Sequence, residues 1–435
     1  MDRFDEAVEC LRELIRFDSV EGEPAYGAPF GKGVANALNY MLGVMENNGF
    51  RTFNGDGYYG YAEIGDKDKP LFGVLNHLDV VPVTEGWSHD PFGGEIADGA
   101  LWGRGAEDDK GPAVAAFFAS LALLDEGRKP KKRLRFILGT NEESGWKCMD
   151  AYKAREEMPA EGFSPDADFP VINCEKGVAF YSVELPLPDK LIALKSGTRA
   201  NIVPDHAAAE AEYSVKLEEA ARKAGAETER NGNVIRIVTR GVSAHGSSPE
   251  SGVNAFTALL SILSATSEYS EKLYRIFSAS DGSGAGIASS DKESGALTLN
   301  AGAARTEGGK LIVETDIRYP ISASRDEIAA KLGKALPEGR ITLKNSHDPL
   351  FVPEDHPLVT GLLAAYKNVT GDKDARPIAI GGATYARVLP CGVAFGPIFP
   401  GEKSYIHMRD ERIPLDSFRK MYDIYKEAFR ILCFE

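Results

Sequence analysis

Two short apolar runs that each break off into polar, metal-competent side chains constrain this chain most. LFGVLN (residues 71–76) ends in His77, and RLRFILG (133–139) ends in Thr140, Asn141, Glu142 and Glu143. Apolar runs of that length without alternation read as strands covered on both faces, as in a mostly parallel sheet. Between them PAVAAFFASLALL (112–124) reads as a strongly apolar helix with Pro in its first turn and two Asp just before it. Strand, helix, strand with polar residues at the strand ends is the pattern of an α/β domain whose site lies at the carboxyl ends of the strands.

The rest of the chain divides around that unit. Phe4, Val8, Leu11, Leu14 and Ile15 form one helical stripe, and a second helix is expected over Val34 to Asn47. Beyond Gly177 the texture changes: residues 179–187, 234–240 and 311–319 alternate apolar with polar side chains as half-exposed antiparallel strands do, and 254–266 reads as a helix on one face. Pro357 to Thr370 is again helical, and GVAFGPI (392–398) is another buried run, followed by a loop carrying His407. The expectation is an α/β catalytic domain with a mostly parallel sheet flanked by helices, formed by 1–178 and 354–435, and an inserted α+β lid domain over 179–353. SASDGSGAGIASS (278–290) is expected to be a flexible loop. The basic run KPKKRLR (129–135) is expected to be the solvated start of a strand.

Charge narrows the partners. Lys and Arg number 50 against 65 Asp and Glu, a net charge of −15. So acidic a surface repels phosphate backbones and anionic lipid, which excludes nucleic acid and membrane as expected main partners. The amino terminus is acidic from its second residue and has no uninterrupted apolar stretch of signal or membrane-span length, which points to a cytoplasmic protein. Five scattered cysteines without a C-x-x-C pair suit reduced thiols.

Seven histidines are few enough to compare one by one. His89, His206, His347 and His356 sit in settings that call for nothing beyond ordinary core or surface roles. His77 lies in LNHLDVVP, where Asp79, two residues on, can hydrogen-bond the ring nitrogen that a metal leaves free. In GRGAEDDKGP the neighbouring Asp108 and Asp109 diverge, so one can face a site while the other serves the turn or the helix start. Of the adjacent Glu142 and Glu143, one can bind metal while the other holds a proton from the attacking water, the division of labour of general-base hydrolysis. Asp166 in FSPDADFP and His407 in YIHMRDE add two more candidates. The N/O donor set suits Zn²⁺ and is too large for one tetrahedral ion, so two metals bridged by a carboxylate fit better. A nucleotide site is rejected, because GRGAEDDKG lacks both the Gly-Lys-Ser/Thr ending and the G-x-G-x-x-G spacing.

NHLDVVP, EGWSHDPFGGEIADGALWGRGAEDDKGP, FILGTNEESGW, FSPDADFPVINCEKG, NIVP, AHGSSP, DIRYP, GGATYARVLPCGVAFGP and the late His407 resemble the dinuclear zinc aminoacylase/carboxypeptidase family, in particular its bacterial V-type branch of carnosinase-like Xaa-His dipeptidases. The resemblance spans nearly the whole chain. It implies two Zn²⁺ per chain, with Mn²⁺ or Co²⁺ as active substitutes: Asp108 bridging, His77 and Asp166 completing one ion, Glu143 and His407 the other. It further implies Glu142 as general base, Asp79 as the orienter of His77, a cis peptide between Asp108 and Asp109, His245 polarising the scissile carbonyl, and Asn201 and Arg318 holding the substrate's terminal carboxylate. Two positions depart from the family pattern. Glu107 replaces a small neutral residue, which could alter metal affinity or favour basic substrates, and Asn76 replaces the Gly before the metal His. The expected activity is hydrolysis of dipeptides, a small-peptide substrate, by a monomer, with a dimer left open. The alternatives are an N-acyl-amino-acid or succinyl-diaminopimelate amide hydrolase on the same dinuclear core, and a catalytically dead binding protein that retains the fold.

Overall fold

The computed structural model describes residues 2–435. The chain forms two compact units, one from 2–173, 352–378 and 384–435 and the other from 174–351 with 379–383. The second unit thus begins a few residues before the expected 178/179 boundary and takes back a short later segment.

In the first unit the strands Arg51–Asn54, Tyr59–Ile64, Arg133–Gly139, Leu71–His77, Glu161–Ser164 and Cys391–Ala394 lie side by side in that order, and the last four are mutually parallel. All seven residues of Leu71–His77 and of Arg133–Gly139 are buried. The reason is that both faces are covered. Phe72, Val74, Leu134, Phe136 and Leu138 join one core with the helices Lys110–Asp125 and Leu415–Leu432, while Leu75 and Ile137 face a second core with Tyr152, Tyr385 and Leu389. A side chain on either face therefore meets apolar neighbours, which is why the two runs show no alternation.

The basic run departs from expectation. Arg133 and Arg135 are buried rather than solvated. Arg135 donates to both Glu63, at 2.6 and 2.8 Å, and Tyr152, and Arg133 donates to Glu157. Burial is tolerable because each guanidinium meets a carboxylate and its stem covers apolar surface.

The second unit is an eight-stranded antiparallel sheet in the order Glu227–Asn231, Val234–Arg240, His206–Glu212, Leu191–Ser196, Thr298–Glu307, Lys310–Tyr319, Gly177–Pro186, Arg340–His347. Alternation sets its faces: Ala207, Ala209 and Ala211 are buried and Glu210 and Glu212 are exposed. The helices Val215–Lys223, Ala255–Leu263, Glu268–Ser278 and Arg325–Ala335 share a core with the buried face. Each starts on a Ser or Asn side chain that accepts a backbone N–H. The segment 278–290 is not a free loop. It makes a 3-10 turn at Ser283–Ala285 and buries Ala285 and Ile287, with Gly282 and Gly286 taking the left-handed conformation that the tight turn requires.

Candidate active site

His77 ends its strand opposite Gly139, the last residue of the neighbouring parallel strand. The register therefore sets the imidazole beside the segment that carries Glu142 and Glu143. Asp108 and Asp109 precede the helix Lys110–Asp125, joined by a cis peptide, and Asp166 follows the strand Glu161–Ser164. These strand and helix ends converge, as a site on a parallel sheet requires.

The distances are those of one cluster. Asp108 Oδ1 lies 2.7 Å from His77 Nε2, and Asp108 Oδ2 lies 3.0 Å from His407 Nε2. Asp166 Oδ2 is 3.7 Å from His77 Nε2, and Glu143 Oε1 is 3.0 Å from His407 Nε2. His77, Asp108 and Glu143 present ligand atoms all within 4.8 Å of one another. The two oxygens of Asp108 thus face two different groups, His77 with Asp166 on one side and His407 with Glu143 on the other.

Charge accumulates here. Asp79, Asp108, Asp109, Glu142, Glu143 and Asp166 crowd around two imidazoles. Burial and the Asp108 charge push Glu143 and Asp166 up, and Asp166 lies well above the usual carboxylate range. Burial, with Glu143 and Asp108 adding to it against the pull of His77, pushes Glu142 up to about 8. Asp108 goes the other way: the hydrogen bonds from His407 and His77 outweigh its burial and hold it well below that range. Hard oxygen donors and imidazole nitrogens with surplus negative charge are what a pair of divalent cations would neutralise, so the residues fit such a pair.

Asp79 behaves differently from the expectation. The partner of His77 Nδ1 is the Asp79 backbone carbonyl at 2.9 Å, while the carboxylate stands 3.6 Å from that nitrogen. The carboxylate instead accepts the backbone N–H groups of Glu142 and Glu143, at 3.0 and 3.1 Å. Asp79 therefore fixes the histidine through its main chain and the two glutamates through its side chain. Asp109 does not cap its helix. It accepts from His77 N and from Asn76 Nδ2, which gives the departure at position 76 a role.

The other departure, Glu107, is buried and its carboxylate accepts from Tyr405 N at 2.6 Å. That bond holds the segment that presents His407. A reciprocal hold runs the other way: Glu411, paired with Arg104 at 2.6 Å, accepts from Gly105 N, Glu107 N and Asp108 N. Sequence reasoning passed over Arg104 and Glu411 although they lie inside GRGAEDDKGP and YIHMRDE. Nothing local in the sequence indicates that two residues some 300 positions apart pair.

The second unit carries the remaining expected residues. His245 is exposed, and its Nδ1 accepts from Ser247 N at 3.2 Å with Ser247 Oγ at 2.7 Å. A ring nitrogen that accepts leaves the proton on Nε2, so this imidazole can donate there. Asn201 accepts from Gly246 N at 2.7 Å through its carbonyl, which ties the NIVP and AHGSSP segments together. Arg318 is buried and already engaged: Nε and Nη2 donate to Asp316 at 2.7 and 2.8 Å, and Nη1 donates to the Gly381 carbonyl. Asp316, fully buried and unremarked in the sequence except as a letter of DIRYP, is thus what orients Arg318. Among the four histidines read as ordinary, His356 caps the helix Pro357–Thr370 and His89 pairs with Glu95.

Comparison with known proteins agrees with this geometry. Residues 73–430 match the family described as Peptidase family M20/M25/M40. A Bacillus subtilis (strain 168) protein named "Putative dipeptidase YtjP" is 38% identical over 98% of this chain and 96% of its own length. A Staphylococcus saprophyticus protein named "Putative dipeptidase SSP1012" is 34% identical over 99% and 98%. The fold is similar to that of an M20 family metallo-carboxypeptidase from Sulfolobus solfataricus, with TM-score 0.61 and 17% identity over 98% of this chain and 99% of that one. It is also similar to human carnosine dipeptidase 1, with TM-score 0.56 and 17% identity over 98% and 96%. The strand-end cluster, the match over most of the chain and the relatives of near-equal length together assign this chain to peptidase family M20/M25/M40.

Proposed function

We propose that this chain is a dipeptidase that works with two divalent ions, zinc by the character of the donors, held by His77 and Asp166 on one side, Glu143 and His407 on the other, and Asp108 between. The observation that carries the reading is the division of the Asp108 carboxylate, with one oxygen 2.7 Å from His77 and the other 3.0 Å from His407. When bound, such ions supply Lewis acidity to the scissile carbonyl and the attacking water.

The chain's own residues do the rest. Glu142, adjacent to the candidate ligand Glu143, takes the proton from the water and later delivers it to the leaving amine nitrogen. His245, protonated on Nε2, donates to the oxyanion that forms on the carbonyl. Arg318, held by Asp316, and Asn201 receive the terminal carboxylate, which gives the site a fixed length and restricts it to dipeptides. The second unit acts as the lid. Five cysteines without a C-x-x-C pair, four of them buried, support a cytoplasmic setting, and no helix among the described residues is long and apolar enough to cross a membrane.

Relatives named as dipeptidases favour peptide over N-acyl or succinyl amide substrates. The test is a dipeptide library assayed with added Zn²⁺ or Mn²⁺, in parallel with N-acyl-amino acids. Cleavage of free dipeptides supports the reading, and cleavage of the N-acyl series alone refutes it.

A further inference from the structure

The segment that carries Glu142 contains a backbone anomaly the reaction as described does not use. Trp146, at the start of the helix Lys147–Arg155, sits at φ 62° and ψ 16°, in the left-handed region. A bulky residue there is a conformational outlier, costly unless surrounding structure enforces it, and such outliers collect at functional sites. The enforcement is visible. Trp146 N donates to the Asn141 carbonyl at 2.8 Å, Asn141 Oδ1 accepts Lys147 N at 3.1 Å, and the indole packs edge-on against buried Tyr385 with ring centroids 5.3 Å apart. The outcome is one contact: Trp146 Nε1 donates to Glu142 Oε1 at 3.0 Å.

We propose that Trp146 is a positioning residue for the general base, its indole N–H pinning Glu142 Oε1 so that Oε2 alone is left to take the proton. The proposal rests on the assignment of Glu142 as that base. A glutamate side chain has three rotatable bonds, and a base that samples several rotamers spends part of its time out of reach of the water. Glu142 is held at both ends: its backbone N–H is fixed by the Asp79 carboxylate and its carboxylate by the indole. Tryptophan suits the task because it donates a hydrogen bond and never accepts one, so it cannot compete with Glu142 for the proton.

Trp146→Phe keeps a flat ring against Tyr385 and removes the donor. Turnover should fall roughly 10- to 100-fold, the factor a hydrogen bond to a charged group is worth, while KM stays within about twofold. Metal content and the melting temperature of the metal-free protein should be unchanged. Independently of activity, the Trp146 indole proton in the ¹H–¹⁵N spectrum of the metal-free protein should lie downfield and move upfield in Glu142→Ala. The double variant Glu142→Ala/Trp146→Phe should turn over no more slowly than Glu142→Ala alone. If Glu142→Ala is crippled but Trp146→Phe keeps wild-type turnover, or if the indole proton does not respond to Glu142→Ala, the positioning role is wrong and the base assignment stands. If Glu142→Ala itself turns over normally, the base assignment falls and the positioning role falls with it.

Discussion

The strand-end cluster of the first unit and the Arg318 cluster of the second handle buried charge in opposite ways. Arg318 is neutralised within its own strand: Asp316, two residues away and fully buried, takes two of its N–H groups, and the Gly381 carbonyl takes a third. The carboxylates around Asp108 outnumber the imidazoles that the chain sets against them, those of His77 and His407. Several are driven toward their protonated forms by burial and by one another. The lesson is that a pair closed on itself fixes an orientation, whereas a cluster with surplus negative charge suits cations.

The largest effect expected from this contrast is catalytic. Glu142→Ala should keep its metals yet lose about 10²-fold to 10⁴-fold in turnover, because a general base contributes that much, whereas Glu143→Ala should lose metal. Metal analysis of the two variants beside their turnover decides it: metal loss in the Glu142 variant with a fully loaded Glu143 variant would reverse the roles.

Next in size is the carboxylate clamp. An amidated dipeptide should be cleaved at least about 30-fold more slowly than the free one, since it lacks the negative charge that a terminal carboxylate would bring to the guanidinium, and Arg318→Ala should erase the difference. Equal kcat/KM for free and amidated forms in the wild type would remove Arg318 from substrate binding. Because Asp316 is orphaned in Arg318→Ala, that variant should also lose about 3 to 5 kcal/mol of stability in denaturant titrations.

A smaller effect separates the clusters by pH. In the metal-free protein Glu142 is pushed up to about 8, chiefly by burial. For an acid whose pKa is higher folded than unfolded, the folded state holds the proton more tightly. Its stabilising contribution is complete below the ordinary glutamate range and is lost as pH rises through the folded value. Metal-stripped protein should therefore melt at progressively lower temperature from pH 5 to about 9, and metal-loaded protein should not, since bound cations favour the ionised carboxylates. Parallel curves for the two forms would show that the cluster carries no such strain.

How much of this the sequence disclosed follows from the range of each interaction. Strands buried on both faces and the helix Pro357–Thr370 were legible because period and turn residues are local signals. The burial of Arg133 and Arg135 was not, since their partners Glu63 and Glu157 come from other elements. At the site the candidate ligands stood out as residue types at strand ends. The groups that hold them did not: Glu411 reaches three N–H groups some 300 residues earlier, and the Asp79 side chain bonds the backbone of Glu142 and Glu143 instead of the His77 ring. Trp146 was in view inside FILGTNEESGW, but its left-handed backbone has no signature in a sequence that offers Gly145 one residue earlier.

The central claim is that Asp108 joins two ions, and the most direct test is to count metals per chain in the purified wild type and in Asp108→Ala after loading with Zn²⁺. The account predicts two in the wild type and at most one in the variant. A wild type that binds no metal when loaded, or an Asp108→Ala protein that still holds both ions, would contradict it.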